Sequence, residues 1–387
     1  MVELRSDVDA RASSLQVAGP SGESARLVFE QILRHGPRSR SELAALLQLS
    51  GATLTRVTRD MLDSGLLREL PLVNRERGRP QEPLDVDEDH ARFIGVKVTA
   101  RETYAVATTV RGNPLEEISL PTGSARPEDV EQAVLSLVTP LLPAHTPVAG
   151  VGVSLGARVA DDGVVLSSSM LGWETPVPLE ARLTAALGVP VTVQNDLIAL
   201  LQGVLWFGIG RRYESFVLVT IGAGIATGVV HRGQVVQGRT NLAGLTETLP
   251  TAGPDGRYTR LADIAGGPAL IARARDCGAI GPDDELVDLL TAHRNAVPAA
   301  LEIGEEVAQA LAVSAGTLVG LLDPQAIIVG GEAIDLVEGH LECFDALLRE
   351  QLSPMQRDIA VRRLPEDFDE WTRGAAVTAI QRFAAGR

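Results

Sequence analysis

The chain of 387 residues contains little of three kinds of residue: aromatics, cysteine and lysine. Aromatic residues make up 3% of it while apolar residues make up 45%, so its cores must be mainly aliphatic. Cys277 and Cys343 are too few for a disulfide framework or a four-cysteine zinc site, and a reducing compartment is the simplest setting. No apolar run reaches the roughly 18 residues of a membrane span, and because the N-terminal residues are polar and charged we expect no signal peptide. We therefore expect a cytoplasmic protein that does not bind a membrane.

Negative charge is abundant but unevenly distributed. The formal net charge is −15. Between Arg26 and Pro80, however, ten arginines stand against six carboxylates, which gives this segment +4 and leaves −19 for the remainder. The sole lysine, Lys97, lies outside the segment. This asymmetry excludes a uniformly basic nucleic-acid binder and indicates a small basic module attached to an acidic body.

The basic segment has the helix pattern of a DNA-binding domain. Ser24 is placed to cap a first helix. Ser39 and Glu42 have the spacing of a capping box for a short second helix, and Ser50 precedes a longer third one that Gly65 ends. Two short helices, a longer one and then a short strand predict a winged helix-turn-helix domain.

The third helix carries most of the residues that we expect to contact DNA. Thr53, Thr55, Arg56 and Arg59 face away from its apolar stripe. Since the N-terminal part of a recognition helix reaches base edges, Thr53 and Arg56 are candidates for sequence readout. Arg59, together with Arg40 of the second helix, is a candidate for phosphate contact. The alternative, for Arg59 in particular, is an ordinary solvated helix surface.

An arginine-rich hairpin follows the third helix. It contains Arg75 and the run Arg77-Gly78-Arg79-Pro80. An extended arginine pair stiffened by proline fits a narrow, A·T-rich minor groove, whereas the alternative is a solvated surface hairpin. A group of carboxylates then begins at Asp85. We interpret residues 85–91 as an acidic linker, with a last wing strand carrying solvated charge as the alternative for Asp85 itself.

The rest of the chain is organised around residues 217–238, VLVTIGAGIATGVVHRGQVVQG. β-branched runs interrupted by glycine predict strands of an antiparallel meander. The glycines at 222, 224 and 228 permit either a tight sheet turn or a phosphate-cradling hairpin. Residues 93–154 show three strands, a helix and a fourth strand, and residues 216–236 begin the same order again. The body is therefore predicted to have two similar halves with a cleft between them.

Several stretches together resemble the ROK family of sugar kinases and sugar-responsive repressors. They are residues 217–238, Val193-Gln194-Asn195-Asp196, Ser169-Met170-Leu171-Gly172-Trp173 and Asp323-Pro324-Gln325-Ala326-Ile327-Ile328-Val329-Gly330-Gly331. Gly78-Arg79-Pro80 is also similar to the wing of ROK repressors. The resemblance covers roughly residues 90 to 387 and implies an actin-like ATPase fold, in which the last helix returns to the first half.

The same resemblance identifies what this chain lacks. The Asp-x-Gly-Gly-Thr loop of ROK kinases, which holds phosphate and metal, is represented by Lys97-Val98-Thr99-Ala100-Arg101. An ammonium has replaced the carboxylate and both glycines are gone, which argues against phosphoryl transfer. The family's cysteine cluster is absent, because residues 246–267 contain neither cysteine nor histidine. We therefore expect no zinc and no cofactor.

The sugar pocket of the family is partly represented. Asn195-Asp196 follows a strand and precedes a helix. In ROK kinases the matching aspartate is the general base for a sugar hydroxyl, and in repressors it binds hydroxyls. Both residues also suit a helix N-cap, and the two roles are compatible. Ser169, Trp173 and Glu247 complete the candidate effector site, although Met170 stands where the family has a pocket asparagine.

These observations predict an α/β actin-like ATPase body, ribonuclease-H-like and two-lobed, preceded by an α+β winged helix-turn-helix domain. The expected parts are a disordered tail (1–23), the DNA-binding domain (24–84), the linker (85–91), a first lobe (92–199 with 374–387) and a second lobe with the dimerisation surface (200–373). We expect a non-enzymatic transcriptional repressor, a homodimer or tetramer on an inverted-repeat operator, responding to a sugar-like effector. The alternatives are a ROK sugar kinase and a dimeric DNA-binding protein that senses nothing.

Overall fold

The computed structural model describes residues 17–71, 82–143, 146–239, 241, 243–244, 248–252, 257–365 and 369–387. The chain divides into two compact units, Met1–Gly208 with Phe368–Arg387 and Ile209–Asp367. The body contributes a five-stranded sheet to each unit, and each sheet packs on an aliphatic core of its own.

The first unit begins with a winged helix-turn-helix. Its helices are α1 (Glu23–His35), α2 (Arg40–Leu47) and α3 (Gly51–Asp63). Its strands are β1 (Arg38–Ser39), β2 (Leu67–Glu69) and β3 (Pro83–Val86), which form a sheet in the order β1-β3-β2. The core of the domain includes Val28, Phe29, Ile32, Leu54 and Val57, all buried.

The helix starts of this domain follow local capping chemistry. The Ser39–Glu42 capping box is confirmed: Glu42 N donates to Ser39 Oγ at 3.3 Å, and Ser39 N donates to Glu42 Oε2 at 2.9 Å. Ser50 caps α3 as predicted, because its Oγ accepts from Thr53 N at 3.1 Å. The predicted cap at Ser24 is wrong. Helix α1 already begins at Glu23, and its N-cap is Gly22, with φ 86° and no side-chain hydrogen bond.

A five-stranded sheet forms the centre of the first lobe. Its order is β10-β7-β4-β5-β6, from β4 (Arg92–Val98), β5 (Glu102–Thr108), β6 (Pro114–Pro121), β7 (Val148–Leu155) and β10 (Val191–Asn195). A separate hairpin comprises β8 (Arg158–Val159) and β9 (Val165–Ser167). The helices are α4 (Pro127–Val138), α5 (Leu179–Leu187) and α6 (Asp196–Trp206). Apolar side chains of α4 and α5 share one core with the sheet.

The second unit repeats this strand order. Its main sheet is β13-β12-β11-β16-β17, from β11 (Phe216–Ile221), β12 (Ile225–His231), β13 (Gln234–Val235), β16 (Ala326–Gly330) and β17 (Ala360–Arg363). A hairpin pairs β14 (Pro250–Ala252) with β15 (Tyr258–Arg260). The helices are α7 (Ala262–Ala265), α8 (Gly267–Asp276), α9 (Leu286–Arg294), α10 (Pro298–Leu322), α11 (Asp335–Glu338) and α12 (Leu341–Gln351). Two sheets of one order give the two-lobed ribonuclease-H-like body that the sequence predicts.

Helix α10 is the one described helix with the length and mean hydropathy of a membrane span. The sequence did not lead us to expect such a segment. More than half of its most apolar window is buried in the second unit, where Val307 and Leu311 belong to the core. Packing against the second sheet therefore accounts for its hydropathy.

The C-terminal helix α13 (Asp369–Ala384) packs against β4, β7 and α6 of the first lobe. The approach is very close at two glycines. A Cβ on Gly152 would lie 1.8 Å from Ala375 O, and a Cβ on Gly95 would lie 2.0 Å from Thr372 O. Any larger residue at either position would push the helix away from the sheet.

The surroundings of His293, a buried residue of α9, predict that the stability of the second unit depends on pH. Burial lowers the pKa of His293, the charge of His340 lowers it further, and Asp335 opposes both. Because the folded state takes up a proton less readily than the unfolded state, stability is present above the unfolded pKa of about 6.5 and is lost as pH falls below it.

We predict that His293→Gln reduces the loss of melting temperature between about pH 7 and pH 5.5 by roughly 2 °C or more, relative to the unaltered protein. Thermal melts followed by circular dichroism measure this difference. His231→Gln, at an exposed histidine, is the matched control and should melt like the unaltered protein at both values. Equal pH dependence of the two variants would contradict the prediction.

Candidate functional site

The recognition helix α3 presents polar and basic side chains to solvent. Thr55, Arg56 and Arg59 are exposed and Thr53 is half-buried. Thr55 Oγ1 donates to Gly51 O at 2.8 Å, and Arg56 Nη1 lies 3.9 Å from Asp60 Oδ2 with both side chains about 70% exposed. Such a solvated pair constrains the arginine little, so Arg56 is available to a partner.

Arg40 is placed differently. Its Nε donates to Thr58 Oγ1 at 3.1 Å and its Nη2 donates to Glu69 Oε1 at 2.8 Å. The guanidinium thus ties α2 to α3 and to the wing strand β2. These bonds assign Arg40 a structural role within the domain, and its predicted phosphate contact stays a prediction. Arg75, Arg77, Gly78, Arg79 and Glu247 lie outside the described residues.

The candidate effector site of the first lobe lies where three parallel strands end. Lys97 is near the end of β4, Gly156 follows β7, and Asn195 ends β10. The ammonium of Lys97 donates to Asp196 Oδ2, and the two side chains are 5% and 16% exposed. Asp196 Oδ1 accepts from Leu197 N at 2.9 Å. Both carboxylate oxygens therefore already have a donor within the chain.

The residue before Asp196 is also engaged. Asn195 Oδ1 accepts from Ile198 N at 3.2 Å, which makes Asn195 the N-cap of α6, and its Nδ2 donates to Ala157 O at 3.0 Å. The capping role that the sequence allowed for this pair is thus filled by Asn195. Met170 lies beside the pair: a Cβ on Gly156 would lie 2.9 Å from Met170 Cε and 3.5 Å from Asp196 Oδ2.

Ser169 and Trp173 occupy different environments. Ser169 is exposed, next to Met170. Trp173 is 6% exposed in the core of the first lobe, and its Nε1 donates to Ala125 O at 2.6 Å. This geometry gives Trp173 a packing role, and contact with an effector stays a prediction for both residues.

The turn between β4 and β5 is closed on itself. Thr99 N donates to Glu102 O at 3.1 Å. Arg101 N and Glu102 N donate to Thr99 Oγ1 at 3.3 and 3.1 Å. Backbone N–H groups that are committed to such bonds are not available to cradle a phosphate.

The glycine-marked hairpin of β11 and β12 is a tight turn, in which Gly222 N donates to Gly224 O at 2.9 Å. Of the two interpretations of these glycines, sheet geometry accounts for the structure. Among the residues that the structure describes, no three histidine, cysteine, aspartate or glutamate side chains form a metal-binding group.

Comparison with known proteins decides the family. The ROK family model matches residues 93–381, which is most of the chain. The chain belongs to the ROK family. The predicted resemblance is therefore confirmed, together with the fold that it implies.

Relatives include both regulators and kinases. A transcriptional regulator of Mycobacterium tuberculosis is 27% identical over 88% of this chain and 82% of its own. The xylose repressor of Caldicellulosiruptor bescii is 25% identical over 82% and 84%. A ROK family transcriptional regulator, a homologue of the Escherichia coli MLC protein, matches in structure with TM-score 0.79, 21% identity and coverage of 94% and 96%. A Streptomyces griseus ROK glucokinase matches with TM-score 0.63, 23% identity and coverage of 74% and 98%.

Two features of the ROK body were not evident from the sequence. The first is the pairing of Lys97 with Asp196, which are 99 positions apart. The second is Trp371 of α13, whose ring centroid lies 5.0 Å from Lys97 Nζ. An aromatic face stabilises a desolvated ammonium. The one available signal was that the only lysine of the chain occupies the loop position where ROK kinases carry aspartate.

We predict that Lys97→Met and Asp196→Asn each reduce the free energy of unfolding by about 3–5 kcal/mol, since each leaves the partner charge buried without its counter-charge. The double variant should lose clearly less than the sum of the two single losses. Urea denaturation of the four proteins measures the coupling. Arg260→Met and Asp263→Asn, in a solvent-exposed pair, are the controls and should each change stability by about 0.5 kcal/mol or less. Additive losses at Lys97 and Asp196 would contradict the pairing.

Proposed function

We propose that this ROK protein is a DNA-binding transcriptional regulator, most simply a repressor, whose winged helix-turn-helix binds operator DNA. The observation that carries the proposal is the exposed face of α3, with Thr55, Arg56 and Arg59, on a domain of net positive sequence charge. The names of the relatives matched over more than 80% of both chains support it, since they are regulators and a repressor.

We further propose that the body does not transfer phosphate. ROK kinases use the loop after the first strand of the body to hold phosphate and metal. Here Lys97 stands at that position, pairs with Asp196 and lies beside a turn whose N–H groups are bonded internally. A phosphoryl-transfer site depends on positioned positive charge, metal and backbone donors. A general base also needs a carboxylate oxygen that can accept the substrate's proton, and both oxygens of Asp196 already accept hydrogen bonds within the chain. Sugar-dependent ATP turnover by the purified protein would contradict this part of the proposal.

The effector is proposed to be sugar-like and to bind at the Lys97–Asp196 pair. An ammonium and a carboxylate together offer donors and an acceptor, which suits hydroxyl groups. The second candidate is a DNA-binding protein that senses nothing, and the engagement of both Asp196 oxygens favours it. Calorimetric titration with a panel of neutral and acidic sugars distinguishes the two, because the second candidate gives no binding isotherm.

We also propose that the regulator acts as a homodimer or tetramer on an inverted repeat, because one winged domain contacts a single half-site. Binding-site selection from a random DNA library, followed by footprinting, tests the DNA-binding proposal directly. Selection of no sequence, or of a single half-site by a protein that sediments as a monomer, would contradict it.

We predict that Arg79→Ala weakens binding to the selected site by about 1–3 kcal/mol, because a wing arginine in a narrow minor groove is lost. The loss should be largest for sites with A·T-rich flanks. Gel-shift titration measures it. Arg211→Ala, at an exposed arginine of the second unit, is the matched control and should bind as the unaltered protein does. If Arg79→Ala bound the DNA site with unchanged affinity, the alternative of a solvated surface hairpin would be favoured for the wing.

We predict that Asp196→Asn weakens binding of the responding sugar at least about tenfold, which corresponds to the roughly 1.4 kcal/mol of one charged hydrogen bond. Because the substitution also removes the counter-charge of Lys97, calorimetry is to be run at a temperature where the variant is folded. Operator affinity should stay unchanged. Asp161→Asn, at an exposed aspartate of the same lobe, is the control. If Asp196→Asn bound the sugar as tightly as the unaltered protein does, the Asp196 carboxylate would not be part of the effector site.

A further inference from the structure

The guanidinium of Arg111, a residue of the first lobe, forms hydrogen bonds with the DNA-binding domain. Arg111 lies in the turn between β5 and β6. Its Nη2 donates to Asp85 Oδ1 at 2.5 Å, and its Nη1 donates to Asp85 Oδ2 at 3.3 Å and to Glu88 Oε1 at 3.1 Å. Asp85 belongs to the wing strand β3 and is 6% exposed. Asp85 therefore lies in a last wing strand, the alternative to the acidic linker, but its carboxylate is buried and paired rather than solvated.

The same guanidinium also contacts the first helix of the domain. Its Nη2 donates to Ile32 O at 3.2 Å and its Nε donates to Leu33 O at 3.3 Å. Both carbonyls belong to the last turn of α1, where the helix dipole favours a cation, and Ile32 O also accepts from Gly36 N at 2.9 Å. All five N–H donors of Arg111 thus have an acceptor in the DNA-binding domain or directly after it.

Neighbours in the same turn strengthen the attachment. Thr109 Oγ1 donates to Glu88 Oε2 at 3.1 Å, and Asn113 Nδ2 donates to the same oxygen at 2.9 Å.

The side chain of Arg111 is 18% exposed. Burial alone would lower the pKa of Arg111, but hydrogen bonds and charge from Asp85 and Glu88 outweigh it and raise the pKa above its usual value. The guanidinium therefore stays charged in this partly desolvated position.

We propose that Arg111 is a positioning residue for DNA binding: it fixes the orientation of the winged helix-turn-helix on the first lobe. Two domains joined by a short segment ordinarily move relative to one another. Here a planar, five-donor fork joins the last turn of α1, the wing strand β3 and Glu88 at one point, which restrains rotation as well as separation. The DNA-binding part of this inference rests on the function proposed above, while the restraint itself does not.

The restraint is tested by electron–electron double resonance on the full chain. The two native cysteines are replaced (Cys277→Ser and Cys343→Ser), and spin labels are attached at Asp63→Cys in α3 and Ser136→Cys in α4. The distance between these labels reports how the DNA-binding domain lies on the first lobe, and excess unlabelled protein suppresses signals between chains.

We expect a narrow distribution of this distance for the doubly labelled protein with Arg111, and a distribution at least about twofold wider for Arg111→Met. Arg111→Lys keeps the positive charge but has only three donors, so it should widen the distribution as well.

Arg382→Met is the matched control, since Arg382 donates to Glu180 at 2.7 Å and to Val191 O at 2.9 Å, both within the lobe. It should leave the distribution narrow. Equal widths for the Arg111 variants and the parent, or equal broadening by Arg382→Met, would overturn the proposal.

The effect on DNA binding is measured with sites that the unaltered protein selects from a random library. Arg111→Lys should bind them at least about tenfold more weakly, and Arg382→Met should bind normally. A broadened distance distribution with unchanged DNA affinity would overturn the positioning role. If the unaltered protein selects no DNA, the function proposed above fails, and the distance measurement still decides whether Arg111 restrains the domain.

Discussion

The close approach of α13 to the first sheet is the constraint on which the rest of the first unit depends. The helix lies against β4 and β7 only because Gly95 and Gly152 have no side chain. That position brings Trp371 to 5.0 Å from the ammonium of Lys97, and it brings Phe383 to 6.1 Å from Phe29 of α1. One helix thus contacts both the candidate effector site and the DNA-binding domain. A shift of α13 relative to the sheet would therefore alter contacts at the candidate effector site and at the DNA-binding domain, because close-packed contacts do not deform gradually.

The character of the candidate site follows from the chemistry of its lysine. Of 35 basic residues, Lys97 is the only one that is not arginine. An ammonium is a compact point charge, which suits a narrow space between one carboxylate and one aromatic face, whereas a guanidinium needs a planar set of acceptors. The pair cancels its own charge, so the site presents neither the acidic metal ligand of a ROK kinase nor an uncompensated carboxylate base. A ligand must therefore compete with, or join, an interaction that already exists.

What the sequence could reveal was local, and what it could not reveal was tertiary. The Ser39–Glu42 capping box and the Ser50 cap depend on spacing within one turn, so they could be predicted. The repeated strand order could be inferred from alternating apolar runs, and the ROK motifs supplied the fold. Ser24 failed as a cap because Gly22, two residues earlier, already turns the chain into α1. The motif that contains Trp173 did not indicate that its ring lies in the core of the first lobe, because burial depends on tertiary packing.

At Asp85 the sequence left an acidic linker and a last wing strand carrying solvated charge as alternatives; the structure has the strand, but the charge is buried. The neutralising partner of Asp85, Arg111, is 26 positions away, and no pattern within residues 85–91 indicates that pairing. Asp85 and Glu88 are two of the four carboxylates between residues 85 and 91, and Arg111 pairs with both, so its single positive charge offsets one of their two negative charges. The arginine that is proposed to restrain the domain thus also offsets part of the negative charge where the domain joins the first lobe.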